Sequence, residues 1–220
     1  MTDGQRRQRR LGLFGGSFDP VHAGHLHAAR AALSAFDLDR VVFVPAAQSP
    51  HKLGRRMADG AARQAMLELA IRGEPRFCTS DLELRRGGAS YTIDTVRELP
   101  SVFGEAPDVE LYLIVGSDNL PGLSTWRSAR ELLERVQPIV VHRDGEPEAL
   151  LDAIERAFGG DMAAKVRAGY LRLPPVVASS TALRGALPAL AADGRAPDVA
   201  ELDPLVLDYI QAHGLYGTQR

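Results

Sequence analysis

Residues 11–25 read Leu11-Gly12-Leu13-Phe14-Gly15-Gly16-Ser17-Phe18-Asp19-Pro20-Val21-His22-Ala23-Gly24-His25. A short apolar run stops at paired glycines. Helical spacing follows, with Leu26, Ala29, Leu33 and Phe36 recurring along 25–36. A strand that turns through glycine into a helix leaves unpaired backbone N–H groups and the positive end of the helix dipole at the turn, where anions are attracted. The turn lacks the G-x-G-x-x-G spacing of a dinucleotide fingerprint and the G-K-[ST] of a Walker A loop. It adds His22 and His25, three apart on one face of the first helical turn. Their ring N–H groups suit the phosphate that such a backbone cradles.

Outward from this turn the chain alternates strand and helix. Strands are expected over 41–44, 76–84, 111–115 (the strongest signal, closed by Gly116), 138–141 and 170–173. Helices are expected over 61–71, 92–99, 128–136, 146–158, 180–187 and 204–213, the last capped by Gly214. A loop rich in Pro, Gly and charge fills 46–59. Such alternation specifies an α/β fold: a single Rossmann-like, doubly wound domain with a mostly parallel sheet and ligands at the carboxyl ends of its strands. No repeat or long linker divides it. The expected boundaries are a disordered Arg-rich tail over 1–10 and one domain over 11–220.

Composition excludes several classes. Hydrophobic residues are 45% and charged residues 25% of the 220, so the chain is neither disordered nor fibrous. No run of 18 apolar residues exists for a membrane helix. The one cysteine, Cys78, excludes an internal disulfide and a Cys-based zinc site, and suits a reducing cytoplasm. The first ten residues carry a local +3, whereas the rest of the chain carries −5. A mildly acidic body argues against nucleic acid as partner. The basic start is too quickly followed by Gly15-Gly16 to make an export signal.

A second anion-receptive segment is Ser179-Ser180-Thr181-Ala182-Leu183-Arg184. Its hydroxyls and N–H groups open a helix, and Arg184 lies one turn on. Alone, such a Ser/Thr run is also an ordinary cap. Between the two segments stands Ser49-Pro50-His51-Lys52. Lys52 is one of two lysines against 24 arginines, which suits a point-charge role or a solvated loop. No metal site is expected. His27 points away from His22 and His25, and no carboxylate pair completes a set.

G-G-S-F-D-P-x-H-x-G-H with a distal S-S-T-x-x-R resembles the H-x-G-H nucleotidyltransferase superfamily. More narrowly, the chain resembles the bacterial nicotinate-nucleotide adenylyltransferases. Further landmarks are S-P-H-K at 49–52, S-Y-T at 90–92, G-S-D at 116–118, S-T-W at 124–126 and Y-I…G-L-Y over 209–216. Two departures are Ala178, where a bulkier apolar residue is usual, and the Arg-rich start. The resemblance implies that Gly15, Gly16 and Ser17 contact nucleotide phosphate and that His22 and His25 contact the reacting phosphates. It implies that Lys52, Ser180, Thr181 and Arg184 hold the triphosphate and later the pyrophosphate. Trp126 would stack on the pyridine ring, backbone N–H groups around Thr92 and Arg127 would receive its carboxylate, and Asp118 would lie in the same region.

The implied reaction is ATP plus nicotinate mononucleotide giving deamido-NAD and pyrophosphate, with Mg²⁺ delivered on ATP. A phosphate monoester has its second pKa near ~6, so the attacking group is already mostly dianionic and needs no general base. Three other readings remain open here. A sister transferase acting on an acceptor without a pyridine ring has no use for Trp126. A non-catalytic nucleotide sensor has no need of His22, His25, Lys52 and Arg184 together. A metal-dependent hydrolase requires ligands that the pattern lacks.

Overall fold

The computed structural model describes residues 8–48, 57–102, 109–142, 148–174, 179–189 and 199–218. Six strands form one sheet in the order β3-β2-β1-β4-β5-β6. They are β1 (Arg9–Gly16), β2 (Arg40–Pro45), β3 (Phe77–Thr79), β4 (Val109–Gly116), β5 (Gln137–His142) and β6 (Tyr170–Arg172). Every pairing is parallel, so the sheet is more uniform than the expected mostly parallel one. The helices are α1 (Ala23–Ala35), α2 (Gly60–Ala70), α3 (Leu82–Arg86), α4 (Thr92–Val102), α5 (Ala129–Arg135), α6 (Glu148–Phe158), α7 (Gly160–Ala168), α8 (Ser180–Ala186) and α9 (Pro204–Ala212). A 3₁₀ stretch, Ser117–Thr125, follows β4.

Strand alternation divides the core. Val41 and Phe43 of β2, with Tyr112 and Ile114 of β4, join Leu26, Leu33, Met66, Leu67, Val206 and Ile210 on one face. Leu11 and Leu13 of β1, Val42 and Val44 of β2, and Leu111 and Leu113 of β4 join Ile93, Val96, Leu99 and Leu132 on the other. Runs buried on both faces are what a parallel sheet requires. Gly12 lets the first face close down: a Cβ there would stand 2.8 Å from a Leu38 methyl.

Three differences from the expected elements have local causes. Arg9 and Arg10, assigned to the tail, belong to β1. They pair with Val109 and Glu110, and the Arg10 guanidinium reaches Glu110 at 3.0 Å. The 76–84 segment is strand only over Phe77–Thr79. The Ser80 N–H still bonds to the Phe43 carbonyl, but Asp81 then opens α3 by accepting from the Arg85 N–H through its carbonyl. Five helical residues are too few to display a helical period. The helix α7 was not expected, as no element was assigned between 158 and 170. Gly159 adopts φ 96° and turns the chain into a second helix. Among the described residues no helix is long and apolar enough to cross a membrane.

Candidate active site

Strand order reverses between β1 and β4, and an open α/β sheet binds its ligands at the carboxyl ends of such a pair. A cleft of about 600 Å³ lies there. Its walls are the residues following β1, those following β4, and the start of α8. Gly15, Gly16, Ser17, His22, His25, Asp118, Trp126, Ser180, Thr181 and Arg184 all line it. Thr92 and Arg127 do not. Thr92 opens α4, and Arg127 lies over the Tyr91 ring at 4.8 Å with Asp94 at 3.5 Å, in a patch adjoining Trp126. Lys52 lies outside the described residues.

The β1 turn is built around Phe18, which adopts φ 48° and is 1% exposed. A bulky residue in the left-handed region persists only where its surroundings hold it. Here the rings of Phe14, Phe43 and His25 stand 5.6, 5.7 and 5.1 Å from it. Gly16 sits over the ring, where an added Cβ would meet it at 3.0 Å.

His22 caps α1, and its N–H donates to His25 Nδ1 at 3.3 Å. The two rings lie 3.8 Å apart. An accepting Nδ1 puts the proton of neutral His25 on Nε2, which makes that nitrogen the donor. Ser180 Oγ donates to the Pro20 carbonyl at 3.0 Å, joining α8 to the turn.

Sequence reasoning assigned no individual role to Asp19, Arg63 or Tyr216. Asp19 is 2% exposed, and its Oδ1 accepts from the Tyr216 hydroxyl at 2.7 Å and the Ala58 N–H at 3.0 Å. Arg184 Nη1 donates to the Asp19 carbonyl and lies 3.6 Å from Oδ2. Arg63, 2% exposed, donates to the Ser17 carbonyl at 2.8 Å and the Ala58 carbonyl at 2.9 Å. Burial pulls the Arg63 guanidinium below its usual range, an effect opposed by Asp19. Burial, and then the bond to Asp19, push the Tyr216 phenol far above its usual range, so it stays a donor. One signal was available in sequence: an arginine in the apolar stripe of Met66 and Leu67 is out of place unless it is paired.

Comparison with known proteins gives the family. A cytidylyltransferase-like family model covers residues 13–186. A protein of Symbiobacterium thermophilum is 41% identical over 207 residues, 94% of this chain and 95% of its own. One of Thermus thermophilus is 41% identical over 210 residues, 94% and 99%. Both bear the name probable nicotinate-nucleotide adenylyltransferase. The chain belongs to the nicotinate-nucleotide adenylyltransferases. Family membership thus agrees with the narrower of the two resemblances. The Plasmodium falciparum nicotinic acid mononucleotide adenylyltransferase, solved with NaAD, shares the fold, with a TM-score of 0.73 at 19% identity over 96% of this chain and 98% of that one. As an adenylyltransferase of this family the chain makes a dinucleotide.

Proposed function

We propose that the chain joins ATP and nicotinate mononucleotide by direct in-line attack, releasing pyrophosphate and forming no covalent enzyme intermediate. The observation that carries this reading is convergence at the sheet's switch point. His22, His25 and Arg184, from the start of α1 and from α8, line a single cleft with Asp118 and Trp126, from the segment after β4. The mononucleotide phosphate oxygen forms a bond to the α-phosphorus of ATP as the bond to the bridging oxygen of pyrophosphate breaks. Negative charge moves to the leaving group. The protein's work is therefore alignment and charge stabilisation.

In this reading the α1 N-terminus and the N–H groups of Gly16 and Ser17 hold phosphate. His25 Nε2, His22 and Arg184 face the developing charge, and Lys52 neutralises the triphosphate. Ser180 serves through its backbone N–H, since its hydroxyl proton is spent on Pro20, and Thr181 stands beside it with its hydroxyl accepting from Arg184 at 3.1 Å. Trp126 stacks on the pyridinium, with Asp118 beside it. Thr92 and Arg127, in the adjoining patch, offer backbone donors to the carboxylate. The expected setting is the cytoplasm, where ATP is supplied.

Among the described residues no three His, Cys, Asp or Glu side chains converge as a metal cage. Of the cleft's carboxylates, Asp19 accepts from Tyr216 through Oδ1 and faces Arg184 with Oδ2, and Asp118 accepts from the Asn119 amide at 3.2 Å. That donor set fits Mg²⁺ carried by the triphosphate and coordinated mainly by phosphate and water, where it offsets phosphate charge.

The test is pyrophosphate release from ATP with a panel of phosphorylated acceptors. Nicotinate mononucleotide should be preferred to the amide by roughly 10²-fold in kcat/KM, because a site of N–H donors leaves some of them facing the amide's own NH₂. Equal use of both, or a preference for an acceptor without a pyridine ring, overturns it.

A further inference from the structure

The carboxylate of Asp19 has unequal sides. Oδ1 takes two donors, the Tyr216 hydroxyl and the Ala58 N–H. Oδ2 is buried without a hydrogen-bond donor and is met by the Arg184 guanidinium at 3.6 Å. Arg184 is thus a shared cation. It bonds the Asp19 carbonyl and the Thr181 hydroxyl, yet it lines the cleft. A phosphate entering the cleft competes with Asp19 for the same guanidinium. The outcome depends on how well Asp19 is satisfied by its other donors, because a buried carboxylate short of donors holds any nearby cation hard.

Of those donors, Ala58 supplies a main-chain N–H and Tyr216 supplies a side chain brought from 197 residues away. The turn that delivers it is committed to the task. Gly214, Tyr216 and Gly217 all have left-handed φ, at 58°, 55° and 79°. Left-handed backbone suits the two glycines but strains a tyrosine. The Thr218 hydroxyl pins the turn to the carbonyls of Leu215 at 2.8 Å and Ile210 at 3.1 Å.

We infer that Tyr216 is a positioning residue for adenylyl transfer, its hydroxyl satisfying Asp19 so that Arg184 is released to the phosphates of ATP. This rests on the function proposed above. Tyr216 does not line the cleft; it acts through Asp19 on Arg184.

The experiment is steady-state kinetics, with both substrates varied, on wild type, Tyr216→Phe, Asp19→Asn and the double variant, with unfolding midpoints alongside. Tyr216→Phe keeps the ring and deletes one bond to a charged group. It should lower kcat/KM for ATP about tenfold while leaving KM for the mononucleotide within about twofold. Asparagine at 19 keeps an acceptor oxygen and removes the charge that competes for Arg184. In that background the same Phe substitution should therefore cost under about threefold. A merely structural tyrosine would weaken both substrates together and cost as much in either background. That result overturns the inference, as does a Tyr216→Phe enzyme equal to wild type. Should Asp19→Asn fail to fold, the contrast between the two substrates in Tyr216→Phe decides alone. If instead wild type turns over neither substrate, the proposed function itself has failed.

Discussion

The two ends of the cleft are built differently. At the β1 end, residues 15–22 are held from far along the chain: Arg63 bonds Ser17, Ser180 bonds Pro20, and Arg184 and Tyr216 bond Asp19. At the β4 end, the polar side chains of the 3₁₀ stretch bond locally, with Asn119 reaching Gly116 at 3.4 Å and Thr125 reaching Gly122 at 2.7 Å, while Leu120 and Leu123 anchor it in a core cluster. Asp118, Asn119, Ser124 and Thr125 are exposed. Long-range buried bonds resist local opening, whereas short-range exposed ones give way at little cost. The β1 end is accordingly preformed, and the β4 end, where the proposed function puts the pyridine ring, is the one that can adjust to a ligand.

The largest test of this contrast is at the histidines. His22→Ala or His25→Ala should lower kcat by about 10²-fold or more, as expected for losing a preorganised donor, with the fold retained. Folded variants with near wild-type kcat would make both histidines structural. Next comes the frame itself. Arg63→Met should lose about 2 kcal/mol of stability in urea titration, because the carbonyls of Ser17 and Ala58 lose their buried donor. A loss under about 0.5 kcal/mol would show that the turn stands without it.

At the other end, Trp126→Ala should raise KM for the mononucleotide by roughly 3- to 30-fold and spare KM for ATP, the range expected of a cation–π contact. Trp126 is half-buried and touches two core clusters, so an equal loss for both substrates, or unfolding, would mark it as core. The smallest effect is expected outside the cleft. Glu131 accepts from Arg97 at 2.5 Å and Arg135 at 2.7 Å on the exposed α4–α5 face, and its carboxyl is held below its usual range first by the Arg97 bond. Glu131→Gln should nonetheless leave the unfolding midpoint and both KM values unchanged, as exposed ion pairs contribute little. A clear loss would make this network part of the frame.

The same contrast explains what sequence could disclose. The 15–25 turn was legible because its chemistry is contiguous: glycines, a helix start and two histidines at fixed spacing. Trp126 was legible as the one tryptophan after the strongest strand. The Asp19–Tyr216 bond was not, since nothing local to either residue names a partner 197 positions away. Nor was the helical turn at Leu82–Arg86, where the buried Glu83 accepts from the Thr95 hydroxyl at 2.5 Å, a tertiary pairing that overrides the local alternation.

The sheet order also has a consequence for synthesis on the ribosome. β1 is made first but lies between β2 and β4, and its register with β4 joins Arg9 to Val109. At ~5–20 residues per second, the stretch from Gly16 to Val109 takes roughly 5–20 s to translate, and for that time one edge of an apolar strand has no neighbour. Such an edge is a template for another chain. The emerging Leu11–Phe14 segment is therefore the part of the nascent chain most open to mispairing until β4 arrives.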